Sequence, residues 1–209
     1  MGPRDLVRSK VQDRSRPEDL WQPLYDKANY PAAGVGTLSF FATPRGGTAT
    51  LIRAGVTSSI GKTTRDTNLD TAGQIPAKGY QVLGLSQVII PVQTNPTSAN
   101  SNRIIDDLHI LLFGGYITWK VGDKTILECP LHLIPAYASI EGILSTTVNN
   151  SSIAGAQNKS ARGTYPMGLP VTLQPFDTFT VVYTFDGSPA ITQSCDIQFL
   201  FHGRVRRPT

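Results

Sequence analysis

Cysteine is nearly missing from this sequence: Cys129 and Cys195 are the only two among 209 residues. Two distant thiols make no disulfide framework, and without a C-x-x-C pair they signal neither a metal nor a redox motif. Their strand-like surroundings mark them as buried thiols. Charge is scarce as well. Only 16% of residues are charged, against roughly 25% in soluble domains, so Ser, Thr, Asn, Gln and Gly have to cover most of the surface. Such a surface suits a chain packed against neighbours, although ordinary β-proteins share it. Long apolar runs are lacking: residues 88–90 and 110–113 fall far short of the roughly 20 residues of a membrane span. Residues 1–16 are polar where a secretory signal would be apolar. The chain is therefore expected to be made and kept in a reducing cytoplasm, with the N-x-Ser sequons at Asn149, Asn150 and Asn158 as chance matches. Helix-period stripes are almost absent, residues 135–144 being one modest candidate, and no internal repeat suggests a propeller or solenoid.

Catalytic patterns are incomplete wherever they begin. His109, His132 and His202 are the three histidines, with no H-x-H, H-E-x-x-H or His-Cys spacing, so no metal site is signalled. His109 and His132 can in principle meet across a sheet, but a hydrogen-bonded structural histidine is the ordinary alternative. Asp106-Asp107 reads as turn carboxylates before a strand. Ser86, within Gly84-Leu85-Ser86-Gln87-Val88, lacks the second glycine of a nucleophile elbow. Gly61-Lys62-Thr63 ends like a phosphate loop but has Val56 where the upstream glycine belongs. Leu6 stands where a myristoylation signal needs Ser or Thr. The expectation is a non-enzymatic protein with no catalytic residues, no metal and no cofactor.

What is present is a basic pair of ends and a strand-rich body. Residues 1–16 carry Arg4, Arg8, Lys10, Arg14 and Arg16 against Asp5 and Asp13, and the last six residues add Arg204, Arg206 and Arg207 with no acid. The net charge is +4, so its excess lies at the ends. Two solvated tails would have the same composition. The alternative is contact with phosphate: three excess charges meeting phosphates give a salt slope of about −2.7, which is weak for one copy and strong for many linked copies. Residues 17–27 offer an apolar face of Leu20, Trp21, Leu24 and Tyr25, read as a short helical or irregular clasp. Residues 1–30 are accordingly expected to be a mobile basic arm, anchored on a neighbour by that cluster, and 31–209 the folded domain.

Within the body, alternation is the clearest signal. Phe179, Val181, Tyr183 and Phe185 fall on one face of a strand and Thr178, Thr180, Val182 and Thr184 on the other. Likewise Cys195, Ile197, Phe199 and Phe201 stand together against Asp196, Gln198, Leu200 and His202. The short turn-like link through Gly187 and Pro189 makes these two strands antiparallel neighbours. Gly114-Gly115, between strands 108–113 and 116–121, reads as a tight hairpin turn, with Ile117, Trp119 and Val121 inward. Further strands are expected at 35–42, 48–54, 80–92, 125–129 and 130–134. Long polar connections at 55–79, 93–103 and 145–165 separate them. Eight or nine strands with long crossovers predict an all-β, antiparallel two-sheet sandwich of jelly-roll type.

Three strings carry a resemblance. They are Asp66-Thr67-Asn68-Leu69 followed by Gly73-Gln74-Ile75-Pro76 and the strand from Tyr80; the segment from Phe113 through Pro130-Leu131-His132-Leu133-Ile134-Pro135; and the ending Phe199-Leu200-Phe201-His202-Gly203-Arg204-Val205-Arg206-Arg207-Pro208. Over residues 30–209 the chain resembles the single jelly-roll capsid proteins of tailless icosahedral viruses, those of bacteria above all. The resemblance implies a wedge-shaped subunit that packs in many copies into a closed shell of a virion. Its termini would be free for neighbours, other virion proteins, the genome or an internal membrane. It brings no catalytic residues. A carbohydrate-binding or host-attachment module would use the same sandwich but needs exposed aromatics, and the three long connections hold only Tyr165. A cupin-like enzyme would need a metal.

Overall fold

The computed structural model describes residues 18–76, 79–91, 101–135, 143–145, 152–154 and 163–207. Two antiparallel sheets face each other. In the first, β1 (Glu18–Trp21) and β2 (Leu24–Tyr30) follow one another along one side of β13 (Cys195–Arg207), whose other side pairs with β6 (Tyr80–Pro91) and then β11 (Tyr165–Leu173). In the second, β3 (Thr37–Phe40), β12 (Phe179–Phe185), β7 (Gly115–Val121) and β8 (Lys124–Pro130) lie in that order. Two small hairpins stand apart, β4 (Thr48–Arg53) with β5 (Val56–Gly61) and β9 (Ile143–Ser145) with β10 (Ser152–Ala154). If β1 and β2 count as one bent strand and the hairpins are set aside, the sheets read first-eighth-third-sixth and second-seventh-fourth-fifth. That is the strand order of a jelly roll, so the expected fold class holds.

The alternating strands supply the core. Phe179, Val181, Tyr183 and Phe185 are buried on β12, as are Cys195, Ile197, Phe199 and Phe201 on β13, and Ile117 and Trp119 on β7. The rings interlock, edge to face for Phe40 and Tyr183 at 4.7 Å between centroids and for Phe199 and Phe201 at 5.1 Å, and tilted for Trp119 and Phe201 at 4.8 Å. This geometry lets each ring edge meet a neighbour's π face.

Several expectations are corrected. Strands β12 and β13 are not antiparallel neighbours: β12 pairs with β3 and β7 in the second sheet and β13 with β1, β2 and β6 in the first, so the link through Gly187 and Pro189 carries the chain from one sheet to the other. Residues 108–113 are no strand: they end helix α1 (Ser101–Phe113). Leu108, Leu111 and Leu112 have helical spacing, Leu111 and Leu112 are buried, and the Gly114 amide closes the helix on the Ile110 carbonyl. Gly115 pairs with Phe185 in place of turning a hairpin, and a side chain there would lie 2.3 Å from the Thr184 carbonyl. Residues 131–133 form a 3-10 turn, not a strand, with the Ile134 amide bonded to the Leu131 carbonyl. The connection expected at 55–79 contains β5, and β11 was hidden by Pro166 and Pro170. Those prolines are tolerated because β11 is an edge strand with a bulge between Pro166 and Val171. The helix candidate at 135–144 lies mostly outside the described residues, and Ile143 and Leu144 within it are in strand β9. Of the clasp expected at 17–27, the described residues 18–27 give no helix but strands β1 and β2, because β13 offers their backbones a ladder along most of its length. The folded body therefore begins by Glu18, not at residue 31.

Candidate functional site

Strand β2 carries two charged residues that are buried, Asp26 and Lys27. Asp26 shares the inward face with Leu24 and Tyr30, and its carboxylate accepts the Phe41 amide at 2.6 Å and the Lys62 ammonium at 2.7 Å. Phe41 has φ 63, costly for an aromatic residue, and its amide bond to Asp26 helps to hold that turn at the end of β3. Asp66 receives Arg53, the Thr63 amide at 3.0 Å and the Thr63 hydroxyl at 3.1 Å, and it lies 3.5 Å from Lys27. Asp196 on β13 accepts Asn29 at 3.0 Å and the Ile52 amide at 3.1 Å. Thr67 and Asn68 bond the backbone of Tyr25, and Asn68 also that of Pro23.

The β4–β5 hairpin and residues 62–69 are thus clamped onto β2 and β13. Burial pushes the Asp66 carboxyl up, but Arg53 and Thr63 outweigh it and hold the group down at about 2. Burial wins for Asp26, which is raised despite Lys62, and for Asp196, raised despite Asn29 and Ile52. Each carboxylate is matched to cations or N–H groups of the chain itself, so this cluster builds the fold; Asp66 Oδ1 is buried without a hydrogen bond and faces Lys27 at 3.5 Å. Among the described residues, no group of three or more His, Cys, Asp or Glu is placed to hold a metal.

The histidines are likewise engaged. His202 Nε2 lies 2.7 Å from Ser86 Oγ in an enclosed bond between β13 and β6, and burial lowers its pKa. His109 and His132 both stack on Phe113, at 5.0 and 5.1 Å between centroids. Phe113 is itself exposed, and Leu133 and Tyr116 expose apolar surface on the adjoining elements. This end of the roll therefore presents an apolar patch that no stripe in the sequence announced, because its members come from α1, the 3-10 turn and β7.

The cluster expected to anchor an arm divides. Leu24 is buried in the core, Leu20 is half-buried, and Tyr25 is half-buried with its hydroxyl on the Thr64 carbonyl. Trp21 alone of the four is exposed, at 60%. The Tyr80 hydroxyl pins the junction of β1 and β2: it accepts the Leu24 amide and faces the carbonyls of Gln22 and Phe201 at 2.8 and 2.9 Å. Burial raises that hydroxyl's pKa far above the ordinary tyrosine value.

Pairing of β1 with the end of β13 sets residues 18–21 beside the basic carboxy-terminal segment. Glu18 is opposite Arg207, Asp19 opposite Arg206, Leu20 opposite Val205 and Trp21 opposite Arg204. Arg204 is exposed, and its side chain shares the outer face with Trp21, its cross-strand partner, since the next residue, Val205, packs against the core. Arg4, Arg8, Lys10, Arg14 and Arg16 lie outside the described residues, but their segment enters the sheet at Glu18, beside Arg207. From residue 22 to 203 the cations and acids are equal in number, so the whole excess of +4 belongs to residues 1–21 and 204–209.

The fold and these surfaces define an all-β jelly-roll domain whose outward features are an aromatic patch and a basic corner. Comparison of the chain with family models, with curated proteins and with solved structures finds no match.

Proposed function

We propose that the protein is a structural subunit of a virion that self-assembles in many copies into a closed icosahedral shell. The observation that carries this reading is the jelly-roll strand order, joined to a stretch, residues 22–203, of zero net charge. A neutral, polar body packs beside copies of itself without the repulsion that a strongly charged one would meet. The apolar patch around Phe113 and the isolated exposed Phe176, at φ 67 in the turn before β12, offer contacts at the ends of the roll. Other virion proteins would share such surfaces. The test is light scattering and negative-stain microscopy of the purified full-length protein over a range of salt. Uniform closed particles are expected, and a protein that stays monomeric under all conditions sinks the reading.

One observation favours a second reading, a carbohydrate-binding or host-attachment module: Phe113, stacked by two imidazoles yet still exposed, has the makings of a sugar platform. Binding to a glycan array that is lost on Phe113→Ala, with no particles formed, would favour it over the shell.

A further inference from the structure

We propose that the outer face of the first sheet, at the corner where β1 pairs with the end of β13, binds single-stranded nucleic acid, with Trp21 as the stacking group and Arg204 as the phosphate contact. The proposal takes the shell reading as its biological setting, but its argument rests on the corner alone. Three observations converge there. Trp21 is 60% exposed while its neighbour Leu20 is half-buried, an unusual position for an indole. Its direct cross-strand partner is the exposed Arg204, so the two side chains leave one surface from Cβ atoms about 5 Å apart. The row continues across the sheet through Gln81 to Thr172, both off the core face, giving a polar shelf roughly 14 Å wide at the usual strand spacing. Aromatic side chains beside cations are how proteins hold unpaired strands without reading sequence.

Charge selects a polyanion and the indole selects among polyanions. A base can stack on Trp21 only if it is free of its own neighbours, which excludes duplexes. An anionic membrane would want a broad apolar face. Among the described residues the other large exposed apolar side chain of this sheet is Leu169, on the opposite edge strand β11, so Trp21 stands without apolar company. Asp19 and Glu18, opposite Arg206 and Arg207, offset two of the cations. That leaves the contact modest per copy and dependent on many copies for strength.

The two tryptophans of the chain make a direct test, since Trp119 is fully buried and Trp21 is not. A thymidine oligonucleotide of about 20 residues should quench the exposed component of the full-length protein's emission and leave the buried component unchanged. Trp21→Ala should weaken binding about 5-fold or more, the effect of one lost stack, while Trp21→Phe should restore most of it. In each variant the buried Trp119 emission reports that the fold is intact. Arg204→Ala should lower the salt slope by about 0.7. Light scattering on the same samples separates the outcomes, because particles without oligonucleotide binding overturn this proposal and leave the shell, and binding without particles does the reverse. Equal affinity for a duplex, unchanged binding by Trp21→Ala, or binding to phosphatidylcholine–phosphatidylglycerol vesicles in place of the oligonucleotide would each overturn it.

Discussion

At the residue scale, the buried carboxylates show how charge is used in a chain that has little of it. Asp66 gains more from Arg53 and Thr63 than it loses by leaving water, and Asp26 does not gain enough from Lys62. The two therefore act oppositely on stability as pH changes. Asp66, with its folded pKa of about 2 below the ordinary value near 4, adds stability that is complete above about pH 4 and lost as pH falls toward 2. Asp66→Asn is expected to cost about 3 kcal/mol at pH 7, since it leaves Arg53 and Lys27 facing no buried charge. Urea unfolding of both proteins across pH should show the difference shrinking between pH 4 and 2. A constant difference would mean that the amide, not the lost charge, is responsible. None of this was legible in the sequence, where Lys62 drew notice only as part of a broken phosphate-loop pattern and Asp66 as part of a resemblance.

At the scale of elements, β13 decides the architecture. It pairs on both sides along most of its length and sends Ile197, Phe199 and Phe201 into the core. Phe199 touches Phe40, Phe41, Tyr183 and Phe201, so Phe199→Ala should cost about 3 to 5 kcal/mol in chemical unfolding. A loss under 1 kcal/mol would mean that the core collapses around the gap. The strict alternation of β12 and β13 made this readable, because a slip of one residue would turn every aromatic to water. Residues 108–113 misled because Leu-His-Ile-Leu-Leu-Phe is apolar at both periods. The choice of helix came from what lies next to it: Leu111 joins the core, and Gly114 and Gly115 permit a helix end directly beside Ile110 and Thr184.

At the scale of the molecule, the corner formed by β1 and β13 changes what the amino-terminal segment can be. Leu24, Asp26 and Tyr30 are buried, so residues 18–30 belong to the domain. A protein lacking residues 1–17 should fold with little loss of stability, whereas one lacking residues 1–30 should fail to fold, exposing the side of β13 and leaving Lys62 without Asp26. Circular dichroism and thermal melts distinguish the two, and a stable fold without residues 18–30 would show that β1 and β2 are dispensable.

The all-β class, the inward faces of β7, β12 and β13, and the basic character of both ends follow from the sequence by itself, since alternation and composition are local properties. The tertiary structure alone decided that residues 18–21 and 24–30 become strands, that Asp26 finds Lys62 and Asp66 finds Arg53, and that Arg204 lies beside Trp21. Each of these depends on pairing between residues far apart in the chain, and no local pattern encodes which backbone will lie alongside β13.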